Sequence, residues 1–228
     1  MAELVCPPPQ RASDFIPDWF KSIPTHEGDY DGNKMSRNHA GGTTLTVRGC
    51  NPFLDTLTGG YIFQLAADVE FQFNGQEFIP RWLVDYPLVD GQGHYQTAGI
   101  TRPDARSYTS WKWISGWQIT TPKGYSTLFT HPFNRHDLPF RTFSGIVETD
   151  KFDLQTDFPF QLTPNTDKNN ILIKKGTPIC QAIPFKRDNW DSEIEEFDLK
   201  QRKKSIFNLY SIADRSYRNQ FWERKTYK

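Results

Sequence analysis

Glu148 and Asp150 are the residues of this chain whose types and spacing could do chemistry. Alternate residues of a β-strand lie on one face, so on a strand the two carboxylates would share a face. Such a pair can supply a general base, or can contact a phosphate through a bridging metal ion. The same spacing is also typical of the solvated end of a hairpin, and the sequence favours this second interpretation.

A second polar group consists of His131, His136 and Asp137. Two histidines and a carboxylate are the ligands of one class of iron site. The His-x-Asp spacing of such sites is not kept and a distal histidine is not identifiable, so a polar surface loop is the preferred interpretation. Arg135 in the same stretch could hold a phosphate through its guanidinium. The three cysteines form no Cys-x-x-Cys pair, and we expect no metal site.

The charge distribution is uneven along the chain. Residues 199–228 carry nine Lys/Arg and two Asp/Glu, a local charge of +7, whereas the formal net charge is zero. The basic end could contact phosphates, and Trp111, Trp113 and Trp117 beside Lys112 could stack on bases. A solvated helix face and tryptophans packed in a core or a subunit contact are the preferred interpretations. We therefore expect neither nucleic acid nor a membrane as a partner.

The elements that must position these residues are short strands. Val69, Phe71 and Phe73 alternate with polar residues, which predicts a strand with one buried face, and Asn74-Gly75 predicts a hairpin. Many short runs of this kind, separated by turn residues, indicate a sandwich or jelly roll. After about residue 198, apolar residues recur at helical spacing at Ile206, Tyr210, Ala213, Tyr217 and Phe221.

The predicted organisation has three parts. Residues 1–42 form an irregular N-terminal arm, residues 43–190 a mainly β domain, and residues 191–228 a C-terminal amphipathic helical segment. The N-terminus lacks the features of a signal peptide, and no apolar run is long enough for a transmembrane helix, so the prediction is a soluble protein.

Several segments resemble the trimeric dUTPase and dCTP deaminase superfamily. They are Gly59-Gly-Tyr-Ile-Phe-Gln-Leu, Thr121-Pro-Lys-Gly-Tyr, Gly145-Ile-Val-Glu-Thr-Asp and Lys175-Gly-Thr-Pro-Ile-Cys-Gln-Ala-Ile. The resemblance implies a dUTPase-like β-clip and a homo-oligomer, with a trimer favoured. Independently of it, Gly145 suggests close packing or an unusual φ, Gly176 a tight turn, and Gln181 a side chain that could satisfy backbone groups.

The same resemblance implies a candidate site. Glu148 takes the position of the family's water-positioning Asp, Asp150 follows it, and Phe152 stands near the Tyr that packs on the sugar. Arg135 would hold phosphate, and Gln181 would contact the nucleotide. The chain departs from the family pattern at Glu148, lacks Ser in the phosphate-binding motif, and has a basic helix where the family has a Gly-rich C-terminal arm.

A second resemblance extends over more of the chain. It is to an uncharacterised protein group of tailed phages of aquatic bacteria, and it implies phage origin and a location in the host cytoplasm or the virion. Its segments are Ile16-Pro-Asp-Trp-Phe, Cys50-Asn-Pro-Phe-Leu-Asp, Ser144-Gly-Ile-Val-Glu-Thr-Asp and Tyr217-Arg-Asn-Gln-Phe-Trp-Glu-Arg.

These observations predict a phage-type, non-catalytic binding or structural protein, either a virion component or an intracellular binder of a nucleotide or host protein. No cofactor is expected for that role. The alternative is a divergent dUTPase-like nucleotide pyrophosphatase in which Glu148 is the base, Asp150 orients, Arg135 holds phosphate and Mg²⁺ bridges the phosphates.

Overall fold

The structure, a computed structural model, describes residues 6–26, 45–97, 99–100, 110–163, 169–196, 198–211 and 216–227. It is mainly β, which confirms the predicted fold class. The strands are β1 (Gln10–Arg11), β2 (Tyr61–Gln64), β3 (Val69–Phe73), β4 (Phe78–Arg81), β5 (Val89–Gln92), β6 (Ser110–Trp113), β7 (Tyr125–Thr130), β8 (Phe140–Thr142), β9 (Gly145–Val147), β10 (Phe158–Leu162), β11 (Asn170–Ile173) and β12 (Pro178–Lys186).

The strands form three sheets. Sheet I has the order β1-β2-β12-β7-β9, sheet II the order β5-β6-β10-β8, and sheet III the order β11-β3-β4. All the pairings are antiparallel. The long strand β12 lies inside sheet I between β2 and β7, so residues along it can contact groups at both ends of that sheet.

Aromatic side chains fill the core, as the composition predicts. Trp113 is fully buried and stacks on Phe160, with ring centroids 3.9 Å apart, while Phe71 and Phe140 approach its ring at steep angles. These four residues come from β6, β10, β3 and β8, so sheets II and III share one core. The burial of Trp113 confirms core packing rather than base stacking for this residue.

The predicted hairpin is present between β3 and β4. The Asn74 side chain accepts hydrogen bonds from the backbone N–H groups of Gln76 and Glu77, both at 2.9 Å. Gly75 has φ +101°, a conformation that glycine adopts without steric cost. Gly176 likewise has φ +83° in the turn before β12, as predicted. The prediction for Gly145 is wrong, because its φ is not positive and a Cβ there would meet nothing within 4 Å.

The helices are α1 (Asp18–Ser22), α2 (Asn51–Thr58), α3 (Leu199–Ser211) and α4 (Ser216–Gln220), and short 3-10 helices lie at Ala12–Phe15, Val47–Gly49 and His94–Thr97. The chain divides into two compact units. The β unit comprises Met1–Phe15 and Gly60–Arg187, and the helical unit comprises Ile16–Gly59 and Asp188–Lys228. The boundaries at 43 and 190 stay a prediction of the sequence.

Within the helical unit, α2 was not predicted, because its surroundings suggested short strands. Pro52 lies in its first turn, where the missing N–H costs nothing. Phe53 of α2 stacks on Phe20 of α1, with centroids 5.8 Å apart, so Phe20 is buried against α2. The predicted C-terminal helix is confirmed as α3 and α4, and Ala213 lies outside the described residues. None of the described helices has the length and apolar character needed to cross a membrane.

Candidate functional site

Glu148 and Asp150 lie in a turn and not on a strand face, because β9 ends at Val147. The carbonyl oxygen of Glu148 accepts hydrogen bonds from the backbone N–H groups of Lys151 and Phe152, both at 2.9 Å, and these bonds close the turn. Glu148 is exposed, whereas the side chain of Asp150 is only 1% exposed. The two carboxylates therefore have different surroundings and share no strand face: Glu148 lies at a solvated hairpin end, as the preferred interpretation has it, and Asp150 is buried.

Asp150 is held by the guanidinium of Arg187, a residue that was not predicted to belong to the site. Arg187 donates from Nη1 to Asp150 Oδ1 at 2.8 Å and from Nη2 to Oδ2, and the backbone N–H of Gly124 also donates to Oδ2 at 2.8 Å. The hydrogen bonds from Arg187, and then that from Gly124, hold the pKa of the Asp150 carboxyl well below its usual range. Asp150 is therefore an ionised partner of a fixed cation.

Arg187 also contacts the strand beside this turn. Its Nη1 donates to the carbonyl oxygen of Tyr125 at 2.7 Å and to Ser126 Oγ at 2.9 Å, and its backbone N–H donates to Gly124 O at 2.8 Å. We call this group, Asp150, Arg187, Gly124, Tyr125 and Ser126, the Asp150 cluster. It joins the turn after β9, the start of β7 and the end of β12.

A chain of hydroxyl groups supports the same turn from inside. Thr149 Oγ1 is 2.7 Å from Thr121 Oγ1 and 2.9 Å from Thr127 Oγ1, and Thr127 and Thr149 are buried. Because buried hydroxyls need partners, this chain fixes the turn at the residue between Glu148 and Asp150. The turn is hydrogen-bonded at its centre and exposes Glu148 and Phe152, and the exposed fraction of Phe152 is 39%.

Arg135 lies at the other end of β7, in a loop formed by residues 131–137. Its Nε and Nη2 donate to the two carboxylate oxygens of Asp137, both at 2.8 Å, and its side chain is 14% exposed. Gln181 is buried and accepts a hydrogen bond from the backbone N–H of Phe133 at 2.9 Å. This bond confirms that Gln181 satisfies a backbone group, and it fixes the loop that carries Arg135.

His131 is also used by the backbone of this loop. Its Nδ1 accepts from the N–H of Thr142 at 3.3 Å, and its Nε2 lies 3.0 Å from the carbonyl oxygen of Arg135. The ring is therefore the neutral tautomer that donates from Nε2. Burial is the main cause that lowers the pKa of His131 from its ordinary value of 6.5. With both ring nitrogens and the Asp137 carboxylate engaged, these residues do not form an iron site.

The predicted site residues therefore fall into two groups. Glu148, Asp150 and Phe152 lie near Tyr125 at the start of β7, and Arg135 follows Thr130 at its end. Tyr125 and Thr130 are five steps apart along an extended strand, which corresponds to about 17 Å. Within one chain, the structure does not bring the carboxylates and Arg135 together.

The donor groups near Glu148 do not fit a magnesium ion held by the protein. Magnesium is bound through carboxylates with free oxygen lone pairs, and both Asp150 oxygens already accept from Arg187 or Gly124. Across the described ranges, no group of three or more His, Cys, Asp or Glu could hold a metal ion.

No family model matches the sequence, and no curated protein matches it. Among solved structures, the chain is similar to a mutant dUTPase from phage phi11 of S. aureus, described for its coordination of a structural Mg(II) ion. The identity is 11%, the match covers 73% of this chain and 90% of that chain, and the TM-score is 0.34. At that TM-score the likeness carries no argument about the function of this chain.

Proposed function

We propose that the chain is a phage-type, non-catalytic binding or structural protein. The observation that supports this is the state of Asp150, whose carboxylate is 1% exposed and bonded to Arg187 and Gly124. In the alternative enzyme Glu148 is the base and Asp150 orients, and an orienting carboxylate has to be accessible to the group that it holds. The side chain of Asp150 is buried and both its oxygens already accept from Arg187 or Gly124, so it acts as a structural connection between the turn after β9 and the neighbouring strands.

The phosphate-binding candidate supports the same proposal. The guanidinium of Arg135 is engaged by both oxygens of Asp137, and a phosphate would have to replace that bidentate pair. Glu148 is the accessible carboxylate among the candidates of the alternative pyrophosphatase, since its residue is exposed. The cation that interacts electrostatically with Glu148 is Arg187, and its guanidinium already donates to Tyr125, Ser126 and Asp150. It is therefore not free to stabilise charge that develops during phosphate cleavage.

The experiment that tests the proposal is a turnover assay. Purified protein is incubated with each deoxynucleoside triphosphate and Mg²⁺, and release of pyrophosphate is measured beside a buffer blank. We expect no release above the blank for the unmodified chain. Pyrophosphate release that is lost in Glu148→Ala, while Glu77→Ala keeps it, would contradict the proposal and establish the alternative enzyme.

Two further measurements separate a binding role from a structural one. A nucleotide that binds only the folded chain stabilises it and so raises its melting temperature. At a nucleotide concentration of a hundred times the Kd, the free energy of unfolding increases by about 2.7 kcal/mol. Such an increase without turnover supports a nucleotide binder. Mass spectrometry of purified virions tests the structural role, because a virion component must be present in stoichiometric amount in washed particles.

A further inference from the structure

An acidic segment, residues 188–196, precedes Asp198 and the helix α3 in the helical unit. Residues 188–198 contain six Asp or Glu and no Lys or Arg. Residues 188–196 have no regular secondary structure and are all exposed. Two large apolar side chains lie among the carboxylates, and their exposed fractions are 89% for Trp190 and 97% for Ile194. Large apolar side chains that are exposed this close together are typical of a surface that contacts another molecule, and the carboxylates around them favour a basic partner.

The helix α3 follows directly and has the opposite charge. At 100° per residue, Lys200, Lys203 and Lys204 lie within about 100° of one another around the helix axis. Leu199 and Ile206 lie beside them on the adjoining face and are 62% and 41% exposed. We call these five residues the cationic face of α3. It combines exposed positive charge with exposed apolar surface, as the acidic segment combines apolar surface with negative charge.

The position of these lysines is unfavourable for the isolated helix. The first turn of α3 contains no acidic residue. Because the N-terminal end of a helix dipole is positive, cations there destabilise the helix. Asp198 compensates only in part, by accepting hydrogen bonds from the N–H groups of Lys200 at 2.8 Å and Gln201 at 3.2 Å. Negative charge from outside the helix would therefore stabilise it.

The acidic segment does not supply that charge to its own helix. Among the residues the structure describes, the carboxylates of Glu193, Glu195 and Glu196 make no ion pair with the cationic face. Asp198 caps the helix, so the segment would have to reverse its direction within the few residues before its own cap to lie along α3. The acidic segment of another molecule needs no such reversal.

We propose that the acidic segment 188–196 of one copy binds the cationic face of α3 of a second copy. Each copy carries both complementary surfaces, so the contact can be made reciprocally or around a closed ring. Trp190 and Ile194 cover Leu199 and Ile206, and the glutamates lie against the lysines. This contact between two copies rests on the non-catalytic role proposed above, for which it supplies the partner. Its test measures the mass of the assembly and not turnover, so the two proposals can fail separately.

The test uses sedimentation of the full chain at low salt with paired charge reversals. The unmodified chain is expected to self-associate, and more weakly at 0.5 M than at 0.05 M NaCl because salt screens the pairs. Glu193→Lys with Glu195→Lys, and separately Lys200→Glu with Lys203→Glu, should each weaken self-association at least ten-fold. An equimolar mixture of the two double variants should associate again, because each supplies the surface that the other has lost.

The control variant is Asp85→Lys with Asp153→Lys, which makes the same charge change at two exposed positions of the β unit and should leave the mass unchanged. The Lys→Glu changes place acids in the first turn of α3, so they favour the helix and do not remove it. A chain that is monomeric at all concentrations, or one whose mass neither double variant alters, overturns the proposal. The proposal is also overturned if Lys200→Glu with Lys203→Glu abolishes binding of a 20-nucleotide single-stranded DNA but leaves self-association unchanged. Turnover with intact self-association would refute only the non-catalytic role.

Discussion

At the scale of the residue, the chemistry of this chain depends on what each charged group is bonded to. Asp150 has the type of a catalytic residue, but its lone pairs are used by Arg187 and by the N–H of Gly124. Arg135 has the type of a phosphate ligand, but it forms a bidentate pair with Asp137. Both groups stabilise turns. Glu148 differs from them because it is exposed and contributes its backbone to the turn.

Asp150→Asn should destabilise the β unit. The amide keeps the shape of the side chain but loses the charge and one acceptor oxygen, so Arg187 remains partly buried without its counter-ion. We expect the melting temperature to fall by at least about 5 °C at pH 7. Asp153→Asn is the matched control, since that residue is exposed and lies three positions further along. Equal melting temperatures for the two variants would show that the Asp150 cluster is not a stabilising group.

The same cluster sets a pH dependence. The pKa of Asp150 in the folded chain lies below its ordinary value of 3.8. The stabilisation is therefore complete above that value and is lost as the pH falls below it. Between pH 5 and pH 2 the unmodified chain should lose more stability than Asp150→Asn, as measured by urea unfolding at each pH. Parallel curves for the two chains would contradict this assignment.

His131 should make the fold sensitive to mild acid. Its pKa in the folded chain is lowered, mainly by burial and then by nearby cations including Arg141 and Arg135. Below the ordinary value of 6.5 the unfolded chain binds the proton first, so stability decreases as the pH falls through that value. The fall in melting temperature from pH 7.5 to pH 5.5 should be smaller in His131→Asn than in the unmodified chain. His136 is exposed and is the smallest cause of the lowered pKa of His131, so His136→Asn should reduce the fall in melting temperature by less than His131→Asn does.

At the scale of the element, β12 organises the β unit. It pairs with β2 on one side and β7 on the other, and it carries Gln181 near its start, while Arg187 follows its last residue. Gln181 fixes the loop 131–137 and Arg187 fixes the turn after β9. The two residues are six steps apart, which corresponds to about 20 Å along the strand. One strand therefore stabilises both ends of sheet I.

Gly60 permits β2 to approach β12. Its φ is +72°, and a Cβ added there would overlap the carbonyl oxygen of Ala182 in the neighbouring strand. Gly60→Ala should therefore cost at least about 3 kcal/mol of unfolding free energy, because backbone strain and a steric clash act together. Gly75→Ala isolates the strain, since Gly75 also has positive φ but a Cβ there meets nothing within 4 Å. Its expected cost is about 1–2 kcal/mol, and denaturant titration of the two variants distinguishes these values.

At the scale of the whole molecule, each compact unit is built from distant parts of the chain. In the helical unit the contact that joins residues 16–59 to the C-terminal part centres on Asp55 of α2. Its carboxylate accepts hydrogen bonds from Trp222 Nε1, at 3.0 Å to Oδ2, and from Lys225 Nζ at 2.9 Å. The bond to Asp55 is the main cause that raises the pKa of Lys225. Arg218 and Lys225 both lie within 6 Å of the Trp222 ring centroid, at 5.8 and 5.9 Å.

Asp55→Ala should release the end of the chain from α2. The variant removes the acceptor of both Trp222 and Lys225, so amide hydrogens in residues 216–227 should exchange about ten times faster. Asp18→Ala is the control in the same unit, because Asp18 forms an exposed ion pair with Lys21. Mass spectrometry of peptides after hydrogen exchange measures both variants. Unchanged protection of residues 216–227 in Asp55→Ala would show that other contacts hold this segment.

The features that were predictable from the sequence are those that depend on near neighbours. The alternation at Val69, Phe71 and Phe73 and the turn chemistry of Asn74-Gly75 are local, and the structure confirms both. The helix after residue 198 is also local, since its apolar spacing and its Asp198 cap lie within a few residues of each other. Gly145 shows the limit, because a glycine by itself does not say whether its conformation is unusual.

Only the tertiary structure decided which charged groups contact one another. Asp150 and Arg187 are 37 residues apart, and only the antiparallel pairing of β9, β7 and β12 brings them into contact. The separation of Arg135 from Glu148 follows from the length of β7, and the pairing of Asp55 with Trp222 spans 167 residues. The sequence by itself determined the β-rich class, the β3–β4 hairpin and the C-terminal helix, because these follow from local sterics and periodicity, but it did not reveal α2. The partners of its charged residues, and hence their chemistry, depended on contacts between segments far apart in the chain.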